Sequence, residues 1–260
     1  MSSNGSPAAP IGVISALADE VKHFADGFEE ATRETIGGIL FRAGALDAIP
    51  VVIVESGIGK VNASVVTTIL LTRFGCRALI FSGVAGGLHE GLRVGDVVLA
   101  DRLIAHDYGA LSAGVIKPYQ PGVPPLPGFD ETVGYATDPA LIDTLRRALA
   151  SVPLPRLSSA ATAGDPHVPS LHVGTILTGD TFLNCPGTRD RLYAAHGGLA
   201  VEMEGAAVAQ VAERFGAVPV VVIRALSDLA GADSHLSFTD FVAEVAGVAA
   251  ILVRKAVTVL

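Results

Sequence analysis

Two segments decide the reading of this chain: Gly198-Leu199-Ala200-Val201-Glu202-Met203-Glu204-Gly205 and Val218-Pro219-Val220-Val221-Val222-Ile223-Arg224-Ala225-Leu226-Ser227-Asp228. Each is a short apolar run that ends in carboxylates. Such runs read as buried strands, and Ala206 to Phe215 between them reads as a helix. In a largely parallel α/β sheet, ligand sites form beyond the carboxyl ends of the strands. Acids delivered there by consecutive, neighbouring strands converge on one pocket. A charge buried without a task or a partner is costly.

The rest of the chain sets the frame. It has 260 residues, half of them hydrophobic, which suits one α/β domain with a sizeable core. The balance of 18 basic against 26 acidic residues, with no basic cluster larger than Arg146-Arg147, argues against a nucleic-acid partner. Cys76 and Cys185 read as free thiols in a reducing cytoplasm. Residues 1–10 are rich in Ser, Gly, Ala and Pro and read as a disordered leader without signal-peptide character, leaving 11–260 as the catalytic domain. No apolar run approaches the roughly 20 residues of a membrane helix, so a cytoplasmic protein with no membrane partner is expected.

Outward from the two segments, strands and helices alternate. Ile11 to Leu17 reads as a first buried strand leading into a helix that carries Asp19 and Glu20. Ile36 to Ala43 and Ile49 to Val54 form an expected hairpin, joined around Gly44 to Asp47. Ser56-Gly57-Ile58-Gly59-Lys60 turns into a helix with Val61, Val65 and Ile69 on one stripe. Arg77 to Ser82 is a buried strand ending in a glycine turn, Gly83-Val84-Ala85-Gly86-Gly87, and Val94 to Ala100 is a further strand. Ala110 to Asp130 is a proline-rich loop, Pro139 to Ala150 a helix, Val152 to Ser170 irregular, Leu171 to Leu177 a strand, and Phe238 to Val257 a closing helix. The expected fold is a single α/β domain with a twisted, mixed, mostly parallel sheet surrounded by helices.

Several cofactor motifs fail on inspection. Gly57-Ile58-Gly59-Lys60-Val61-Asn62 begins like a dinucleotide fingerprint but has Asn62 at the third glycine position. A phosphate-binding P-loop would need a glycine at Val54 and a hydroxyl residue at Val61. The seven histidines show no His-x-x-x-His spacing and the cysteines no Cys-x-x-Cys, so neither a metal nor another cofactor is expected. The glycines from Gly83 to Gly87 permit close approach of backbone N–H groups to a ligand or simply a tight turn. Glu20 alone reads as a solvated acid in a helix's first turn, yet it is a third carboxylate at a strand end.

Ile11-Gly12-Val13-Ile14-Ser15-Ala16-Leu17 with Glu20, Ser56 to Lys60, Ser82 to Leu88, Val94-Gly95-Asp96, Gly179-Asp180-Thr181-Phe182, Val201 to Glu204, Arg224 to Asp228 and Ser234-His235-Leu236-Ser237-Phe238 occur in one order. Together they resemble the 5′-methylthioadenosine/S-adenosylhomocysteine nucleosidases of the purine nucleoside phosphorylase superfamily. The resemblance runs from about residue 11 to the C-terminus, weakest across the proline-rich loop and residues 152–170.

That resemblance implies hydrolysis of the N-glycosidic bond of a 5′-thioadenosine, a small-molecule nucleoside partner, and a homodimer. It assigns Asp228 as the acid at purine N7, with Ser227 orienting it. Glu204 would bind the ribose hydroxyls and face the ribosyl cation, with Met203 packed on the sugar. Glu20 would activate water, and Arg224 would position the water and the acids. Phe182 would stack on adenine, Leu183 would offer backbone groups to its edge, and Ile58 and Leu17 would line the ribose and 5′ region. Phe238 would shape the 5′ pocket. The loop of Val84, Ala85 and Gly86 would approach the substrate; Val84 stands where some relatives carry a hydroxyl residue, which leaves the water to Glu20, Arg224 and backbone.

Two alternatives stand beside this. A purine nucleoside phosphorylase would need fixed positive charges for phosphate. The chain instead has Ala18-Asp19-Glu20 after its first strand and no arginine in the glycine loop. A non-catalytic nucleoside-binding protein of the same fold would keep the glycines and lose the acids, whereas Glu20, Glu204 and Asp228 are all present.

Overall fold

Alternate residues of the first strand face opposite sides of the sheet, and both sides are buried. Ile11 and Val13 join one apolar cluster and Ile14 the other. The computed structural model describes residues 8–123, 133–162, 164–231 and 234–260, with the backbone alone over 234–243. In chain order the elements are β1 (Ile11–Ser15), α1 (Ala18–Val21), β2 (Phe28–Ile36), β3 (Ile39–Leu46), β4 (Ile49–Glu55), α2 (Lys60–Thr72), β5 (Ala78–Gly87) and β6 (Val97–Ala105). They continue with β7 (Gly109–Ser112), β8 (Val115–Pro118), β9 (Tyr135–Ala136), α3 (Pro139–Ala150), β10 (Leu171–Thr178), α4 (Pro186–His196), β11 (Ala200–Glu202), α5 (Gly205–Arg214), β12 (Val220–Asp228) and α6 (Ser234–Val257).

The large sheet runs β11-β10-β6-β12-β5-β1-β4-β3-β2, with β9 on β6. Parallel ladders join β4 to β1, β1 to β5 and β5 to β12, and likewise β6 to β10 and β10 to β11. The two groups meet antiparallel at β12–β6, and β11 returns to pair antiparallel with β5. Strands β5, β12, β6, β10 and β11 therefore close a ring. One face of the sheet is covered by α3 and α6 through Ile142, Leu145, Val245, Ala249 and Leu252. The other is covered by α2 and α5 through Ala63, Val66, Leu70 and Val208. Each fully buried Val, Leu or Ile contributes about 1.5–3 kcal/mol relative to exposure.

Several element boundaries differ from the sequence reading, each for a local reason. The meander has three strands: β2 turns into β3 at Gly37-Gly38, and β3 into β4 at Asp47-Ala48, where φ is positive at all four residues. These two-residue turns match the twist of the flanking strands. Strand β2 is charged and largely exposed, so it lacks the apolar alternation that reveals a strand. The expected stripe on α2 is not its packed face: Ala63, Val66, Thr67 and Leu70 are buried, whereas Val61 is 75% and Val65 45% exposed. This helix is apolar on more than one side, and its smaller residues allow the approach of α5. The glycines after Ser82 are not a turn but the last half of β5. Strand β6 begins at Val97, because Gly95, at φ 95°, bends the chain first. The loop from Ala110 contains the hairpin β7–β8, and residues 124–132 of it lie outside the described residues. Of the expected leader, Ala9 and Pro10 are held by Arg77 through their carbonyls; residues 1–7 lie outside the described set.

Candidate active site

Glu20 is the first acid to be placed, and it is 3% exposed rather than solvated. Its side chain folds back over the start of α1, where Oε2 accepts from the N–H groups of Ala16 and Leu17 at 2.9 and 3.0 Å. Oε1 accepts from Val84 N–H on β5 at 3.0 Å. Burial pushes this carboxyl above the usual range, against the pull of Arg224 and the three N–H donors. The result is a carboxylate fixed from both oxygens and more basic than an exposed glutamate.

The second group surrounds Arg224, midway along β12 and 1% exposed. Its Nη2 donates to Glu202 Oε2 and, at 2.9 Å, to Glu204 Oε2. The guanidinium also lies 4.3 Å from the centroid of the Phe81 ring. Glu202, at the end of β11, is saturated: it accepts from Arg224, from Thr178 Oγ1, and from the N–H groups of Glu204 and Gly205. It anchors the guanidinium and the start of α5.

Glu204 stands at the start of α5, and its Oε1 accepts from Gly59 N–H at 2.8 Å. Its carboxyl is pushed up to about 7, first by burial and then by the charges of Glu202 and Glu20, with Arg224 and the Gly59 donor opposing. Two buried carboxylates thus share one guanidinium, with a third, Glu20, inside its field, and the centre is poised to take up positive charge.

Asp228 ends β12 and is 4% exposed. Ser227 Oγ donates to Oδ2 at 2.9 Å, and the Ala230 N–H donates to Oδ1 at 2.7 Å. Strands β11 and β12 are not neighbours, contrary to the sequence expectation. Both pair with β5 instead, and Gly86 lies opposite Val201 on one side and Asp228 on the other. The two acid-bearing ends meet across that one glycine. A Cβ on Gly86 would fall 3.1 Å from Asp228 Oδ1. One on Gly83 would fall 2.5 Å from Glu20 Oε1 and closer still to Arg224 Nη1. These glycines are required by close approach rather than by a turn.

These groups open into one cleft. It is lined by Leu17, Glu20, Ile58, Val84, Ala85, Gly86, Phe182, Leu183, Met203, Glu204, Arg224, Ser227 and Asp228, which brings together every expected site residue but one. The exception is Phe238, in the first turns of α6, whose side chain lies outside the described residues. Ile58 and Phe182 are 48% and 45% exposed and form an apolar mouth. Ala16, Thr181 and Val201 also line the cleft. The sequence reading missed Thr178 and the Gly59 N–H. Thr178 ends a buried strand as Glu202 does, the one signal that marks it in the sequence; a backbone donor leaves none.

Residues 10–258 match the profile of the Phosphorylase superfamily. A 5′-methylthioadenosine/S-adenosylhomocysteine nucleosidase of Mycobacterium tuberculosis (strain CDC 1551 / Oshkosh) is 47% identical over 253 residues, 97% of this chain and 98% of that protein. The crystal structure of the Helicobacter pylori 5′-methylthioadenosine/S-adenosylhomocysteine nucleosidase, complexed with a pyrrolidine bearing a deazapurine-like base and a propynylthio tail, superposes with a TM-score of 0.81. It is 27% identical, over 98% of this chain and all of that one. The native futalosine hydrolase of Helicobacter pylori strain 26695 superposes with a TM-score of 0.79 at 28% identity, over 96% of this chain and 98% of that one. Fold, site geometry and kinship agree: this chain belongs to the phosphorylase superfamily and, within it, to the 5′-methylthioadenosine/S-adenosylhomocysteine nucleosidase family.

Proposed function

We propose that the cleft hydrolyses the N-glycosidic bond of 5′-methylthioadenosine, S-adenosylhomocysteine or both, releasing adenine and the 5′-thioribose. The observation that carries this reading is the charge of the centre: Glu20, Glu202 and Glu204 are buried around one guanidinium. Such a site favours a ribosyl cation and repels phosphate. The nucleosidase relatives support the substrate class; the half-exposed Phe182 ring suits the face of adenine, and apolar Ile58 suits a thioether tail.

In this reading Asp228 delivers a proton to purine N7, so that adenine departs neutral, and Ser227 holds the carboxyl in line. Glu204 accepts from the ribose hydroxyls and stabilises the oxocarbenium-like charge, a task shared by carboxylates in glycoside hydrolysis. Glu20 takes a proton from water as its oxygen bonds to the anomeric carbon. Arg224 keeps Glu202 and Glu204 in place. At position 84 the backbone N–H holds Glu20, and the valine side chain offers the water no hydroxyl.

The test is adenine release from methylthioadenosine with and without phosphate. Release without phosphate, with free thioribose as co-product, is expected; a phosphate requirement and a ribose-1-phosphate would overturn the reading. Tight binding with no release would make the protein a binder rather than an enzyme.

The same reading includes a homodimer, supported by exposed Val61 and Val65 on α2 and exposed Leu111 and Val115 on the β7–β8 hairpin. Light scattering at micromolar concentration giving the mass of one chain would remove it. Among the described residues, no helix is long and apolar enough to cross a membrane.

A further inference from the structure

The N-terminus of α2 is capped by side chains from elsewhere in the fold. Its N-cap is Gly59, which has no side chain to do so. Instead, the Gly59 N–H donates to Glu204 Oε1 at 2.8 Å, and the next N–H, of Lys60, donates to Asp180 Oδ1 at 2.9 Å. Two carboxylates thus take two successive free donors of one helix, where negative charge is favoured.

Asp180 is itself held. Its N–H donates to Asp107 Oδ2 at 2.8 Å, and Lys60 Nζ lies 2.6 Å from Asp107 Oδ1 and 3.5 Å from Asp180 Oδ2. Three segments are thereby pinned together: the turn before α2, the end of β6 and the loop after β10. The first supplies Ile58 and the Gly59 N–H to the cleft, and the third supplies Thr181, Phe182 and Leu183. The ion pair is partly exposed and worth little by itself. Its contribution is geometric.

We infer that Asp180, secured by Lys60 and Asp107, is a positioning residue that keeps the Gly59 N–H on Glu204 and sets the Thr181–Leu183 wall relative to it. This rests on the proposed role of Glu204 as the ribose-facing carboxylate. The charged groups around Glu204 are Arg224 on β12, Glu202 on β11 and Glu20 on α1, while the Lys60 ammonium is turned to Asp107 and Asp180.

The sign of one shift separates positioning from simple charge. Removing a nearby negative charge lowers the pH at which Glu204 titrates. Loosening the Gly59 donor raises it, because the charged form loses a hydrogen bond. The experiment follows the Glu204 carboxyl by ¹³C NMR titration, and the acid limb of kcat/KM for methylthioadenosine, in wild type, Asp180→Ala and Asp180→Asn. For Asp180→Ala, both the titration and the limb should move up by about one pH unit, giving roughly a tenfold loss of kcat/KM on the acid side. Asp180→Asn keeps an acceptor for the Lys60 N–H and should restore the wild-type position. An unmoved or downward shift in Asp180→Ala overturns the inference. Wild-type protein that releases no adenine overturns the functional reading instead, and the NMR titration still reads the coupling. If Asp180→Ala does not fold, Asp107→Ala, which releases the Asp180 N–H and the Lys60 ammonium while removing a negative charge, must give the same upward shift, and its absence overturns the inference.

Discussion

The Val84 N–H donates to Glu20 Oε1 across 3.0 Å, so an acid from the end of one strand is aimed by the backbone of another. With Ala16 and Leu17 donating to the other oxygen, every neighbour that fixes Glu20 is a donor. A glutamine would have to turn its NH2 toward one of these N–H groups. Glu20→Gln is therefore expected to lose both the base and its alignment, with kcat falling about 10²–10⁴-fold. Steady-state adenine release checks this, and an unchanged rate would mean that another group activates water.

Asp228→Asn keeps a side-chain oxygen for the Ser227 hydroxyl or the Ala230 N–H but has no proton to give N7. Turnover should fall about 10²–10⁴-fold. Binding of a purine analogue, measured calorimetrically, should stay largely intact. Near-wild-type turnover would remove Asp228 from the acid role.

Glu204 predicts opposite pH trends for activity and stability. Its carboxyl must be charged to face the ribosyl cation, so kcat/KM should fall on acidification with an apparent pKa near the value of about 7 reached in the fold. The unfolded carboxyl titrates near 4.5, below the folded one. Between these values the folded state holds the extra proton, so this group's contribution to stability declines as pH rises through the window. Glu204→Gln should therefore be inactive. Its NH2 must turn toward the Gly59 or the Arg224 donor, a cost that does not change with pH, while its stability relative to wild type should rise by about 1–3 kcal/mol between pH 4.5 and pH 8. Arg224 retains Glu202 in that variant, so no buried charge is left alone. Denaturant melts at several pH values test the trend, and a stability difference that does not change between pH 4.5 and pH 8 would contradict it.

Gly83→Ala adds one methyl where Glu20 and Arg224 converge. Neither side chain can withdraw without giving up its own bonds. The substitution should cost about 1–3 kcal/mol of stability and at least tenfold in kcat, although Gly83 makes no side-chain contact with substrate. Wild-type kinetics from a folded Gly83→Ala protein would show that the pair can move apart.

The acids and the apolar strands were legible because both leave marks in one dimension. Buried runs such as Val220 to Ile223 announce strands, and acids at their ends announce a site. Strand β2 was hidden because its exposed charges carry no alternation. The true face of α2 was hidden because Val61 and Val65 are as apolar as Val66, and the sequence does not say which side α5 will cover. The adjacency of Glu202 and Asp228 was misread because it depends on β11 returning to β5, a pairing made by two residues. Resemblance supplied the substrate; spacing alone supplied only convergent carboxylates.

Closure of the ring by β11 ties the chemistry to the slowest motions of the molecule. This three-residue strand is held by β10 on one side and β5 on the other, and the flanking Leu199 N–H and Gly179 N–H bond to Thr175 and Glu202 carbonyls at 2.8 and 3.0 Å. Neither ladder can fray at a free edge without breaking the other. In hydrogen exchange these amides should open only with the whole domain, while those around half-exposed Phe182 exchange through local fluctuation. Substrate can then come and go through a yielding mouth, over carboxylates that stay in place until the protein unfolds.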